Sequence, residues 1–431
     1  MLFKDITIVD ENSEIKEHYY VGTKADTIAY IGDTCPKDDF GEIYDGKNKL
    51  LIPAFYNLHS HLPMVLMRGY GENLSLMDWL NTKIFPFEDH MTDEDMYNGC
   101  LLGIAEMLRF GIASSSEMYL GLNAVCRAFY ESGAKGNLSR CVSCFDPDMS
   151  YTDMPQYKEA VENIIEFNGA DNKRIIVEHS LHAEYTSMEK MVRGMADEAR
   201  KNNLSIQVHV SETTGEVQGC KERHDGRSPV KYLYDCGLFD SPTVAAHCVF
   251  VDDEDIALLK EKNVAVAINP KSNLKLASGV APATKMIDAG LIVGLGTDSV
   301  ASNNNLNMIE EMRFFNLLQK GINKDPTLIT PTDTLYAATR AGALAQRRDD
   351  CGLIKVGFKA DITVLDTDNI YTKPVYNVLN NLVYSAQGND VVLTMVDGKV
   401  LYKNGVYTTL DIEKISYECE KARLRILSEI K

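Results

Sequence analysis

Eight short apolar runs recur through the middle of this 431-residue chain, at residues 51–58, 112–117, 138–144, 174–179, 205–210, 243–247, 264–268 and 292–297. Runs of this length, rich in Val, Ile and Ala, read as buried strands. The longer stretches between them carry helical periodicity. After residues 51–58, for example, Thr92 and Asp95 form a capping pair, Leu101, Ile104 and Leu108 share one face, and Gly111 stands just past the end. A strand that returns by a helix pairs in parallel with its predecessor, and a parallel sheet needs cover on both faces. Eight such units in succession predict a (β/α)8 TIM barrel, an α/β fold.

The two ends of the chain have a different texture. Residues 6–9 and 27–31 are short β-type runs broken by Asp, Asn and Gly, and 360–365 and 391–396 repeat the pattern before the turns Asp397-Gly398 and Asn404-Gly405. This predicts one small β-sandwich domain made from residues 1–52 and 356–410, a catalytic barrel over 53–355, and a C-terminal helix over 411–431 with no assigned chemistry. At 45% hydrophobic residues the chain has ample material for a core of that size.

Lys and Arg number 44 against 62 Asp and Glu, a formal charge of −18 that repels phosphate backbones and anionic lipid surfaces, so neither nucleic acid nor membrane is an expected partner. Residues 1–15 lack the basic start and apolar run of a signal peptide. No stretch approaches the about 20 apolar residues of a membrane span, and a cytoplasmic location with reduced cysteines is expected. Of the ten cysteines, only Cys141 and Cys144 are spaced C-x-x-C. With no second pair to complete a zinc site, they read as small buried residues of a strand.

Five of the nine histidines, His59, His61, His182, His209 and His247, fall at or just beyond the carboxyl ends of the expected strands, where barrel enzymes keep their active sites. His18, His90, His179 and His224 do not, and read as surface or core residues. Residues two apart in a strand face the same side, so His59 and His61 can both point to the barrel axis. An H-x-H alone is weak, but His209 ends residues 205–210 and Asp298 follows Gly296-Thr297. Three neutral imidazoles and a carboxylate suit one Zn2+ with room for a water, which such a site acidifies; Fe2+ or Mn2+ could use the same ligands. The chemistry implied is metal-assisted hydrolysis.

Glu212, three residues after His209, is placed to shuttle protons beside the attacking water, against the bland reading of a surface glutamate. His247 either hydrogen-bonds that water or ligates the metal. The first is preferred because His59, His61, His209 and Asp298 already supply four ligands, and Asp298 can share the water's proton.

In these residues the chain resembles the amidohydrolase superfamily, and within it the 5′-methylthioadenosine and S-adenosylhomocysteine deaminase branch. The resemblance spans nearly the whole chain. It is carried by Asn57-Leu58-His59-Ser60-His61, Arg68-Gly69, Trp79-Leu80, Phe87-Glu88-Asp89, His209-Val210-Ser211-Glu212-Thr213, Ala246-His247-Cys248-Val249, Asn269-Pro270, Ser272-Asn273-Leu274-Lys275-Leu276, and Gly296-Thr297-Asp298 with Ala301-Ser302-Asn303-Asn304. It implies a barrel with a sandwich built from both chain ends, a small-molecule nucleoside substrate, and hydrolytic deamination of an adenosine-type ring. It further implies that Glu88 holds the ribose hydroxyls, His182 a purine nitrogen, Glu212 the ring nitrogen protonated during attack, and Trp79 the pocket wall. Arg140 aligns with an arginine used toward the far end of the substrate, with packing or surface duty as its alternative. One metal per chain is expected, because residues 174–179 hold none of the bridging lysine that binuclear members use. The resemblance also hints at a homo-oligomer.

One departure stands out. Members that clamp the amino-acid carboxylate of S-adenosylhomocysteine place a second arginine near residues 146–156, and none occurs between Asp146 and Asn172. Methylthioadenosine, 5′-deoxyadenosine and adenosine therefore gain weight as substrates. The rival readings are guanine or oxidised-purine deamination or triazine dechlorination on the same scaffold, and a barrel that keeps only a binding or assembly role.

Overall fold

In the computed structural model, which describes residues 1–430, eight strands form one all-parallel sheet in chain order. They are Phe55–Ser60, Ile112–Tyr119, Lys135–Val142, Ile175–Leu181, Ile206–Val210, Thr243–His247, Ala265–Ile268 and Val293–Leu295. Each lies within or overlaps one of the runs expected from the sequence. The eighth meets the first through a backbone bond of 2.9 Å from Asp298 N to the His59 carbonyl and a parallel bridge between Ser60 and Asp298. The closing contact of the barrel thus joins two of the residues expected to do its chemistry.

Gly296 makes that closure sterically feasible. A Cβ there would strike the Asn269 amide oxygen and stand 2.9 Å from His59 Cβ and 3.1 Å from His59 N. Any larger residue would push the eighth strand off the first.

The first run is divided. Lys49–Pro53 belongs to the sheet of the chain ends, where Leu51 faces Val364 across an antiparallel pair, while Phe55 opens the barrel. The chain changes partners at Ala54, whose N–H reaches the Asp361 carbonyl at 3.0 Å just before Phe55 N bonds the Gly111 carbonyl at 2.9 Å. Both halves are equally apolar, so periodicity reads them as one strand.

The second sheet has nine strands, from Leu2–Val9 through Lys49–Pro53 and from Ile362–Asp366 to Val406–Tyr407. Its hairpin turns use Asp397 at φ 47° and Gly398 at 74°, then Asn404 at 49° and Gly405 at 87°, the left-handed pairs that tight two-residue turns require. A buried ion cluster ties this sheet to the barrel. Lys135, first residue of the third strand, reaches Asp361 and Asp397 at 2.6 Å each, and Tyr56 donates to Asp361. These contacts lie at the amino ends of the barrel strands, the end that carries stability in such folds.

Between the first strand and the long helix Asp93–Arg109 the chain inserts a 3-10 turn, Leu62–Met67, and a run of short helical turns, Leu76–Trp79, Leu80–Ile84 and Phe85–Glu88. Ser75 caps this run by accepting from Asp78 N. Asp93–Arg109 starts on a reciprocal capping box of Thr92 and Asp95 and ends before Gly111 at φ 82°. The C-terminal helix, Ile412–Glu429, buries Ile415, Cys419, Ala422 and Ile426, and its Arg425 pairs with Asp95. Among the described residues no helix is long and apolar enough to cross a membrane, and all ten cysteines are free.

Candidate active site

Four imidazoles and two carboxylates expected from the sequence meet at the carboxyl ends of the first, fifth, sixth and eighth strands. His59 Nε2 and His61 Nε2 stand 3.7 and 3.5 Å from Asp298 Oδ1, His61 Nε2 lies 3.3 Å from His209 Nε2, and His247 Nε2 is 3.9 Å from Glu212 Oε2. His59, His209, Glu212, His247 and Asp298 are buried and His61 is nearly so.

Backbone geometry aims these side chains. Ser211, His247 and Asp298 follow or end their strands in the left-handed region, at φ 52°, 73° and 58°. Such residues are costly for L side chains and turn the chain sharply at the barrel mouth. Glu216 braces the first of these turns: its carboxylate accepts Ser211 N at 2.8 Å and Glu212 N at 2.6 Å.

The imidazole tautomers follow from their partners. His61 Nδ1 is 2.5 Å from the Met118 carbonyl and His209 Nδ1 is 2.6 Å from the His182 carbonyl, and a carbonyl can only accept, so each Nδ1 carries the proton. Each Nε2 is left with a lone pair, and the two lone pairs face each other. Burial lowers the pKa of His61, and burial with neighbouring histidines drives His59 and His209 well down, so all three stay neutral. His59 Nε2 is buried without any hydrogen-bond partner. Converging lone pairs beside an Asp298 carboxylate, with no proton to share, are the donor set a divalent cation satisfies. The residues fit the metal that the sequence implies.

His247 differs. Burial opposes its charge, but Glu212 and Asp298 outweigh burial and raise its pKa. Its Nδ1 donates to Asn273 Oδ1 at 2.8 Å, which leaves Nε2 toward Glu212. The Glu212 carboxyl is itself pushed up by burial. Asp298 is fixed by Ser299 N at 2.6 Å and Ser272 Oγ at 2.5 Å.

A cavity of about 240 Å³ opens above this cluster. Its wall includes His182, Trp79, Glu88 and Arg140 beside His61, His209, Glu212, His247 and Asp298, so every site residue expected from the sequence except His59, which lies beneath, borders one space. Trp79 and Glu88 arrive on the inserted helical turns. Burial raises the Glu88 carboxyl to about 7, with Tyr119 pulling the other way, and burial lowers His182 to about 4. Arg140 donates from Nε to Glu159 at 2.9 Å and from Nη1 to the Cys141 carbonyl at 2.6 Å.

The four other histidines lie elsewhere: His18 is exposed beside Asp5, His90 bonds the Pro86 carbonyl, His179 is a core residue 2.8 Å from Tyr151 Oη, and His224 pairs with Glu184. Cys144 is buried, whereas Cys141 borders the cavity with its thiol pushed up to about 12 by burial, hence protonated.

Tyr119, Tyr185, Gln156 and Glu216 were not identified from the sequence. Glu216 had a signal, since Thr213 and Glu216 have capping-box spacing and Thr213 does accept Glu216 N at 3.1 Å. The other three are cavity residues of ordinary type: Tyr119 ends the second strand, Gln156 lies in the first turn of the helix Pro155–Phe167, and Tyr185 sits in the 3-10 turn Glu184–Thr186.

The chain is similar to known proteins over nearly its whole length. Residues 50–401 match the model of the amidohydrolase family. A 5-methylthioadenosine/S-adenosylhomocysteine deaminase of Dictyoglomus thermophilum is 40% identical over 429 residues, covering 100% of this chain and 99% of the relative. The protein of the same name from Carboxydothermus hydrogenoformans is 39% identical over 99% of this chain and 98% of its own. The crystal structure of an adenosine deaminase from Xanthomonas campestris with bound zinc superposes with a TM-score of 0.93 at 28% identity, covering 99% of this chain and 98% of the other. On a match of this extent, the chain belongs to the amidohydrolase family.

Proposed function

We propose that the protein is a single-metal hydrolase that deaminates the purine ring of an adenosine-type nucleoside, releasing ammonia and leaving the inosine analogue. The observation that carries this reading is the convergence of His59, His61 and His209 on Asp298, with Glu212 and His247 beside them at the floor of a cavity. The relatives named as methylthioadenosine and S-adenosylhomocysteine deaminases, and the neighbour named as adenosine deaminase, support the substrate class.

His59, His61, His209 and Asp298 would hold the ion, and zinc is the ion proposed because neutral imidazoles with one carboxylate suit it and the adenosine deaminase neighbour carries it. A divalent ion there supplies the Lewis acidity that makes water a nucleophile at neutral pH. The chain's own groups do the rest. His247 hydrogen-bonds the incoming water and holds it against the ring carbon that bears the amine. Glu212, whose carboxyl burial pushes above its ordinary range, gives its proton to the adjacent ring nitrogen as the C–O bond forms, takes one from the adding water, and delivers it to the amine as the C–N bond breaks. Asp298 accepts the remaining water proton. His182, neutral at physiological pH, meets a purine nitrogen, Glu88 takes the ribose hydroxyls, Trp79 packs along the nucleoside, and Arg140 lies toward its 5′ end.

Glu88 separates this reading from free-base deamination on the same scaffold. Glu88→Gln should lower kcat/KM on adenosine nucleosides by about tenfold or more, the loss of a charged hydrogen bond to ribose, and leave a free base unaffected. Turnover of guanine or a triazine alone, indifferent to Glu88→Gln, would overturn the nucleoside assignment.

A further inference from the structure

We infer that the cavity selects nucleosides whose 5′ substituent carries no charge, with Gln156 as the specificity-determining residue. This rests on the proposed deamination and narrows its substrate. Arg140 is the one lysine or arginine among the residues that border the cavity, whereas Glu88, Glu212 and Asp298 all border it. Arg140 belongs to the third strand, three places round the barrel from both the sixth, which carries His247, and the eighth, which leads to Asp298. It therefore serves the side of the cavity away from His247 and Asp298.

On that side its charge is already used. Arg140 Nε donates to Glu159 Oε2, and Glu159 is fixed in turn because its other oxygen accepts Leu122 N at 2.7 Å. The guanidinium keeps N–H donors on Nη2, while the Glu159 carboxylate offsets the charge it offers a ligand. Gln156 stands one turn before Glu159 on the helix Pro155–Phe167, at the spacing that puts both on one face. It borders the cavity, and its Oε1 is buried with no hydrogen-bond partner.

An unsatisfied acceptor beside a neutralised guanidinium is a poor receptor for a carboxylate. The carboxylate would lose its water and gain no free cation, with at best a neutral Gln156 N–H in place of a charged partner. A neutral substituent loses little there, and a 5′-hydroxyl suits the partners best, because its O–H can satisfy Gln156 Oε1 while its oxygen accepts from Arg140 Nη2. Adenosine and short uncharged analogues are thus the favoured class, and the amino-acid arm of S-adenosylhomocysteine is disfavoured.

The test compares kcat/KM for adenosine, 5′-deoxyadenosine and S-adenosylhomocysteine in the metal-loaded protein. S-adenosylhomocysteine should fall at least about tenfold below adenosine, and Gln156→Arg or Glu159→Gln, each of which supplies a free cation, should raise that ratio about tenfold. Gln156→Leu should instead narrow the preference for adenosine over 5′-deoxyadenosine. Calorimetric affinities of the products inosine and S-inosylhomocysteine test the same selectivity without turnover and should follow the same order. Equal kcat/KM for adenosine and S-adenosylhomocysteine, or ratios and product affinities that neither Gln156→Arg nor Glu159→Gln moves, would overturn the inference. Product affinities in the expected order with no turnover of any nucleoside would support the pocket while overturning the deamination reading.

Discussion

Nε2 of His61 and Nε2 of His209 lie 3.3 Å apart, each with its proton on the opposite nitrogen and donated to a backbone carbonyl. Two lone pairs at that separation repel unless a cation sits between them and the Asp298 carboxylate. Chelation should therefore loosen the barrel mouth as well as abolish activity. The expected result is one equivalent of divalent metal per chain by elemental analysis and a Tm that falls on its removal, with His209→Ala showing the low Tm whether or not metal is added.

Gly296 should tolerate nothing larger. In Gly296→Ala the new Cβ meets the Asn269 amide oxygen and His59 Cβ at the seam where Asp298 N bonds the His59 carbonyl. Overpacking of this kind costs about 1–3 kcal/mol. Because it separates His59 from Asp298, the metal content should fall together with the Tm. An alanine variant with full metal content would contradict this account of the closure.

Glu216 should behave as a positioning residue. Both its oxygens accept backbone N–H groups at the turn that aims Glu212, and an amide side chain retains only one acceptor. Glu216→Gln should lower kcat by about tenfold, the worth of one charged hydrogen bond, with KM little changed. Equal losses in kcat and in substrate affinity would point to general disruption instead.

The pH dependence of stability has a definite sign at Glu311. Buried, and accepting from Lys271 N at 3.1 Å and Asn303 at 2.8 Å, this carboxyl is raised from 4.5 to about 7 by burial. A group whose folded pKa lies above its unfolded value contributes stability that is full below about 4.5 and is lost as pH rises through about 7. The loss is on the order of 3 kcal/mol. Glu311→Gln should show a smaller fall in Tm between pH 5 and pH 8 than the unsubstituted protein, and an identical fall would contradict the assignment.

The barrel and the residues proposed to hold the metal were legible because they obey local rules. Strand runs are short and apolar, His59 and His61 share a face by the two-residue period, and His209, His247 and Asp298 end or follow recognisable strands. What escaped depends on pairings distant in the chain. The split at Ala54 is visible only once residues 362–366 arrive to pair with residues 49–53. The Lys135 cluster joins residues separated by 226 and 262 positions, and the commitment of Arg140 to Glu159 depends on how a helix seats against a strand. The inserted turns that deliver Trp79 and Glu88 are too short to show helical periodicity. Family resemblance, not pattern, pointed to those two residues.

Ammonia release from the zinc-loaded protein reads the proposed deamination itself. It should be measured across adenosine, 5′-deoxyadenosine, methylthioadenosine, S-adenosylhomocysteine, adenine and guanine, with Glu212→Gln as the control. The nucleosides should be turned over and the free bases not, with turnover lost by about 100-fold or more in Glu212→Gln when its proton transfer is removed. Zinc-replete protein that releases no ammonia from any of the nucleosides, or a Glu212→Gln variant as active as the parent, would contradict the proposed deamination.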